Sequence, residues 1–129
     1  MHAPILALLV LFVTQSSGKW TAIGTTNTGN PVFVNAKSIT TDKAGVTTAE
    51  IRTVYAKPSP TPKGDITSVR SIAMFKCASG EVAAKVTTIF IDEKAGKIFE
   101  TRKPVIPGFA KPFDNTYAAV AMGYVCKKK

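Results

Sequence analysis

Two cysteines stand in the chain, Cys77 in "MFKCASGE" and Cys126 in "GYVCKKK". A cysteine offers four kinds of chemistry: nucleophile, metal ligand, redox centre or covalent staple. The first three need partners. The usual base for a cysteine or serine nucleophile is a histidine, and the one histidine of the chain is His2. It precedes an uninterrupted apolar run, "ILALLVLFV" over Ile5 to Val13, which leads into the small, polar "TQSSG". That is the order of a secretory signal, with Ser16 and Gly18 at the −3 and −1 positions of a cleavage before Lys19. Residues 1–18 are therefore expected to be a signal peptide and 19–129 a single domain. Its n-region is unusual in holding no Lys or Arg.

A mature chain without His2 runs neither a Ser-His-Asp nor a Cys-His mechanism, and builds no His-bearing zinc site. The two cysteines lack CxxC spacing, which argues against a thioredoxin-like redox pair. Asp92 and Glu93 are adjacent, but "IDEKAG" reads as a hairpin turn. A glycosidase needs two carboxylates facing one cleft about 5–9 Å apart. No P-loop, dinucleotide-binding glycine motif or EF-hand occurs. The expectation is a protein that is not an enzyme and uses no metal or cofactor.

For Cys77 and Cys126 the remaining readings are a disulfide and a pair of buried free thiols. An exported compartment is oxidising, and a small domain gains most from a staple. Closing a loop of this length restricts the unfolded chain by about 4 kcal/mol in the entropy model. The apolar run is too short to span a membrane, since nine residues rising ~1.5 Å each do not cross ~30 Å of hydrocarbon. No cysteine directly follows that run, so no lipid anchor is expected.

The formal charge of +9 falls wholly after residue 18. Such a balance suits an acidic partner, whether glycosaminoglycan, nucleic acid or an anionic envelope surface. It equally suits an ordinary basic exported protein, because the lysines are scattered. No RRM, KH or helix-turn-helix signature is present, so no specific nucleic acid is expected.

The elements that must position these residues are mostly strands. "KWTAIG" and "PVFVN" are short strands separated by the turn-rich "TTNTGN". In "VTTAEIRTVYAK", Ala49, Ile51 and Tyr55 alternate with Glu50 and Arg52, the period of a half-buried sheet. "PSPTPKGD" is a proline-stiffened loop. "ITSVRSIAMFKC" carries Val69, Ala73 and Phe75 on one side and Ile72 and Met74 on the other, as in a central strand or one covered twice. "VAAKVTTIFID" and "KIFETRK" complete the sheet, and the turns "DKAG" and "DEKAG" place Gly where a hairpin needs positive φ. "PVIPGFAKPF" is a second irregular, basic and aromatic segment. The period then changes. With Asp114 or Thr116 as N-cap, Tyr117, Val120, Ala121 and Tyr124 mark one face of a helix, with Met122 and Cys126 beside it. The predicted fold class is α+β: about six mainly antiparallel strands with a C-terminal helix packed on the sheet and one disulfide.

The order of these pieces resembles the surface-adhesin protein E family of small exported bacterial domains. "W-x-x-I-G" follows the signal, then "VFVNAKSI", a strand ending in Cys77, and a short terminal helix ending in Cys126. Trp20, Gly24, Val34, Ser38, Ile39, Cys77 and Cys126 carry the resemblance. It implies an α+β fold with a disulfide and no catalysis, in a family whose named member is an outer-membrane adhesin for host matrix and plasma proteins. Two departures stand out: the named member is lipid-anchored whereas this chain lacks the acylated cysteine, and Lys76 stands where the family usually has an Asp or Asn just before the strand cysteine.

The functional expectation is a non-enzymatic exported binding domain of the periplasm or cell surface, with host extracellular-matrix or other acidic protein or glycan as partner. The two Pro/Lys loops supply its candidate contacts: Lys57, Lys63, Arg102, Lys103 and Lys111, with Phe109 or Phe113 as aromatic anchor. The alternative is a periplasmic structural or accessory protein of the envelope.

Overall fold

Alternating apolar and polar residues build strands, and short turns fold each strand back beside the last. A computed structural model describes residues 19–127; the expected signal peptide and the last two lysines lie outside the described residues. Six strands follow in chain order: β1 (Trp20–Thr25), β2 (Pro31–Thr41), β3 (Val46–Ser59), β4 (Ile66–Lys76), β5 (Glu81–Asp92) and β6 (Lys97–Arg102). They form one sheet in that same order, every neighbouring pair antiparallel. A helix, α1 (Tyr117–Val125), closes the chain. The expected class and disulfide are both present, and the strands are all antiparallel. Gly45 and Gly96 hold the positive φ that their turns require, 86° and 69°.

Register sorts the side chains into two faces. Val34, Ile51 and Ser71 are cross-strand partners, as are Val32, Thr53 and Val69. These rows, with Ala49, Ala73 and Phe75, look toward α1, and with Ala121 and Val125 they make the core. Phe75, Ile51, Val32 and Val34 are its largest fully buried side chains. Each stabilises the fold by roughly 1.5–3 kcal/mol through area removed from water. The helix packs on β1, β2 and β3, so one apolar half-sheet is roofed. β4 is central, as its double-sided apolar pattern suggested, yet α1 covers one face only. The helix itself presents Ala121 and Val125 as its buried residues, with Tyr117, Val120, Met122, Tyr124 and Cys126 half-buried around them. The predicted stripe missed Val125 because the run from Tyr117 is apolar nearly all round, and such a run leaves the facing stripe to the packing.

Three attachments hold this nine-residue helix. At its start, the Thr116 hydroxyl accepts from Ala119 N at 3.3 Å, and Asn115 O accepts from Asn27 N in the β1–β2 turn at 2.9 Å. At its end, Cys126 is bonded to Cys77, just past β4, with Cα atoms 5.5 Å apart. Midway, Val120 lies against the bare backbone of Gly24. A Cβ there would meet Val120 Cγ1 at 2.8 Å, and the φ of 156° is one that side chains rarely adopt. Ser38 stitches the irregularity in β2, donating to Asn35 O at 2.6 Å and accepting from Glu50 N at 2.8 Å.

One of the two irregular segments differs from its sequence reading, and the other is irregular as expected. β3 runs on through Lys57 and Pro58 to Ser59, with a break in register after Val54, because an offset stretch asks no ladder bond of proline. "PVIPGFAKPF" leaves Val105, Ile106 and Phe113 97%, 80% and 85% exposed. Its Ala110 bridges Val82 through bonds of 2.9 and 3.1 Å, covering the end of β5 that β6 does not reach.

Cys126→Ser is expected to lower unfolding free energy by roughly 3–4 kcal/mol in urea denaturation, and reductant to bring the parent down to the same level. Gly24→Ala is expected to cost about 1–3 kcal/mol. Val120→Ala in that background restores the steric part of the loss, which a double-mutant cycle reads directly.

Candidate functional site

The two Pro/Lys loops do not form one surface. Lys63 lies in the β3–β4 loop with its Nζ 5.7 Å from the Phe99 ring centroid. Arg102 Nε donates to Glu100 Oε2 at 2.6 Å. That bond, helped by the charges of Arg102 and Lys63, holds the Glu100 carboxyl below the ordinary range, and the same carboxylate raises Arg102 further. Lys63 and Arg102 thus meet around Phe99 and Glu100. Glu100 is the partner of Ile89, and Ile89 of Val69, so this patch belongs to the helix face, beyond the helix. Phe109 sits elsewhere, under Lys76, whose Nζ is 4.1 Å from its ring centroid. Lys57, Lys103, Lys111 and Phe113 are exposed. Of the six candidate contacts, therefore, two converge and the rest are dispersed.

A denser arrangement occupies the opposite face, and it came from residues whose types alone did not announce it. Arg52 on β3 and Arg70 on β4 are direct cross-strand partners. Two like charges so placed repel, unless something sits between them. That something is Glu93, from the β5–β6 turn. Its Oε1 and Oε2 accept from Arg52 Nε at 3.0 and 3.1 Å, Oε2 also accepts from Arg70 Nε, and Oε1 from the Ser68 hydroxyl at 2.7 Å. Aromatic rings flank the guanidiniums. Trp20 lies 6.0 Å from Arg52 and 5.3 Å from Arg70, Phe33 lies 5.6 Å from Arg52, and Phe90 lies 5.7 Å from Arg70. Such contacts hold a guanidinium plane in place while leaving its hydrogen-bonding edge available.

The Glu93 side chain is 13% exposed. Burial is the largest single influence on its carboxyl and pushes it up. The bonds from Ser68, Arg52 and Arg70 outweigh that together and hold it below the usual carboxylate range. Beside this cluster, Glu50 takes a bond from Asn35 Nδ2 at 3.2 Å and lies 3.8 Å from Lys19 Nζ. The buried Asn35 Oδ1 has no hydrogen-bond partner among the described residues.

Sequence reasoning placed Arg52 on the polar side of its strand and Glu93 in a turn. What it lacked was any signal that the turn carries Glu93 back over strands 41 and 23 residues away. Because Glu93 is held ionised, its stabilisation is complete above the ordinary carboxylate pKa and is lost as pH falls through its lowered folded value. Thermal melts from pH 6 down to pH 2 are expected to show this loss, and Glu93→Gln to remove that part of the slope. Glu93→Gln is also expected to cost roughly 1–3 kcal/mol at pH 7, since two half-buried guanidiniums keep only a neutral acceptor.

The comparisons with known proteins agree with this architecture. Crystal form II of Haemophilus influenzae protein E matches with a TM-score of 0.59 at 14% identity, over 86% of this chain and 89% of that one. Its selenomethionine form matches at 0.57 and 13% identity, over 87% and 88%. Protein E from a non-typeable strain matches at 0.54 and 15% identity, over 86% and 77%. Identities this low speak for the fold alone. A search of curated proteins found no match. The family model described as Surface-adhesin protein E, however, matches residues 20–127, essentially the whole sheet, the helix and both cysteines. The chain belongs to the surface-adhesin protein E family.

Proposed function

We propose that this chain is an exported, non-enzymatic binding domain that acts as an adhesin, holding acidic host extracellular-matrix or plasma protein through its basic surface. The observation that supports this most is family membership over residues 20–127. The charge agrees: 17 Lys and Arg against 8 Asp and Glu, on a small sheet whose loops and edges carry most of the cations. On this reading residues 1–18 direct export and are removed. The patch where Lys63 and Arg102 converge beside Phe99 is the best assembled part of the candidate surface, while Lys57, Lys103, Lys111 and Phe109 lie apart from it. Long, mobile side chains of this kind speed and orient encounter more than they add affinity.

Binding to immobilised matrix protein is expected to weaken steeply as salt rises from about 0.05 to 0.5 M, where the screening length shrinks to a few ångströms. Lys63→Glu combined with Arg102→Glu is expected to slow association by roughly tenfold with little change in melting temperature, read by surface plasmon resonance. Protease treatment of intact cells tests display. Cleavage is the expected result, and full protection until the outer membrane is opened would assign the domain to the periplasm instead.

A further inference from the structure

We propose that the cleft at Trp20, Arg52 and Arg70, on the face away from the helix, binds a carboxylate-bearing sugar of the uronic- or sialic-acid type within an acidic glycan. This site is separate from the loop surface and does not depend on it.

Four observations carry the proposal. The first is chemical fit. Glu93 shows that a carboxylate seats between the two guanidiniums, yet it engages only the Nε of each. A guanidinium has five N–H donors in a planar fork suited to carboxylates. No Nη hydrogen bond joins those of Nε among the described residues, and the two side chains remain 27% and 34% exposed. The second is charge. Lys94 joins Arg52 and Arg70 in lining the cleft, so three cations there face the single carboxylate of Glu93.

The third observation is shape. The cleft, about 240 Å³, shares Arg70 with a second depression of about 160 Å³ lined by Ile72, Val86, Thr88 and Glu50. Together they make a shallow groove rather than a closed pocket. Apolar groups alternate there with hydroxyl and carboxylate groups, which suits a pyranose ring carrying both C–H faces and hydroxyls. The fourth is location. Arg52 and Arg70 stand on interior strands whose backbone groups are paired with neighbouring strands. An extended acidic peptide gains its main-chain bonds at a free sheet edge, and Arg52 and Arg70 stand two and three strands in from the β1 edge that carries Trp20. Recognition here falls to side chains alone, held on paired strands that keep them preorganised.

Trp20 is the only tryptophan in the chain, so its fluorescence reports on the site without labelling. The protein is titrated with hyaluronan oligosaccharides and sialyllactose, which carry carboxylates and no sulfate. Lactose, dextran sulfate and poly-glutamate serve as the neutral, sulfate-only and peptide comparisons. A saturable change with at least one carboxylated sugar, tenfold or more weaker with each comparison, is expected. Arg70→Gln and Arg52→Gln are expected to weaken it at least tenfold. Lys94→Gln, which leaves the Glu93 bonds intact, is expected to weaken it severalfold even if the arginine variants fold poorly. The loop variant Lys63→Glu with Arg102→Glu is expected to leave it unchanged, which separates this site from the adhesive surface. No response to either carboxylated sugar, an equal response to dextran sulfate or poly-glutamate, or indifference to all three cleft substitutions would overturn the proposal.

Discussion

The fold depends on fastening one short helix to one half of an open sheet. A nine-residue helix has no stability of its own in water, since nucleation is unfavourable and few turns follow to offset it. The sheet in turn leaves Val32, Val34, Ile51 and Phe75 to be covered by something. Each needs the other, and contact between them is set at three points. The Asn115–Asn27 bond fixes where the helix begins, Gly24 lets Val120 come down onto the β1 backbone, and the Cys77–Cys126 bond fixes where it ends. The disulfide reaches β4, so it ties the helix across the width of the core to the strand bearing Phe75. Remove any one point and the other two must hold a helix whose apolar character is spread around its circumference.

That arrangement has a consequence for the other face. With the core gathered under the helix, the far side of β3 and β4 is relieved of covering apolar surface and can hold charge. Two arginines brought side by side by strand register are an electrostatic cost in isolation. Glu93 turns the cost into a bonded cluster, and Trp20, Phe33 and Phe90 supply faces for the guanidiniums. The cluster draws on β1, β2, β3, β4, β5 and the turn after β5. It therefore joins strands that are already neighbours, and fixes how the β5–β6 turn lies over the sheet.

Much of the scaffold was legible in the chain because it is encoded locally. Period-2 alternation around Ala49, Ile51 and Arg52 marked β3, the glycines of "DKAG" and "DEKAG" marked their hairpins, and the change of period after Thr116 marked the helix. The cysteine pairing followed from the oxidising compartment expected of an exported chain and from the lack of CxxC spacing or a histidine partner. Where the reading fell short, the information was non-local. Phe109 and Phe113 looked alike in composition, but one lies under Lys76 and the other stands in solvent. The Pro/Lys loops looked like one surface, yet Lys63 and Arg102 meet on the helix face while Phe109 follows the edge of β5. Glu93 was read as a turn residue, which it is. Its role appears only when the turn is placed above Arg52 and Arg70, which no local window contains.

The Glu93 cluster also bears on how a binding surface can be both stable and available. A cleft of unpaired arginines attracts any anion, but it destabilises its own sheet through repulsion. A cleft fully satisfied by internal carboxylates is stable and inert. Here a single carboxylate meets two guanidiniums through one nitrogen of each, so repulsion is quenched while donors and positive charge remain. An incoming anion need not displace Glu93 to gain a bond, and so does not have to compete with the fold. Because the guanidiniums are braced by rings and by paired strands, little freedom is lost when they are engaged, and that loss is what most often weakens long basic side chains as ligands. The lysines of the loops differ in this respect: Lys57, Lys103 and Lys111 carry charge on exposed side chains, and Lys63 has a single ring beside it. The molecule thus places its diffuse charge on loops and its ordered charge on the sheet.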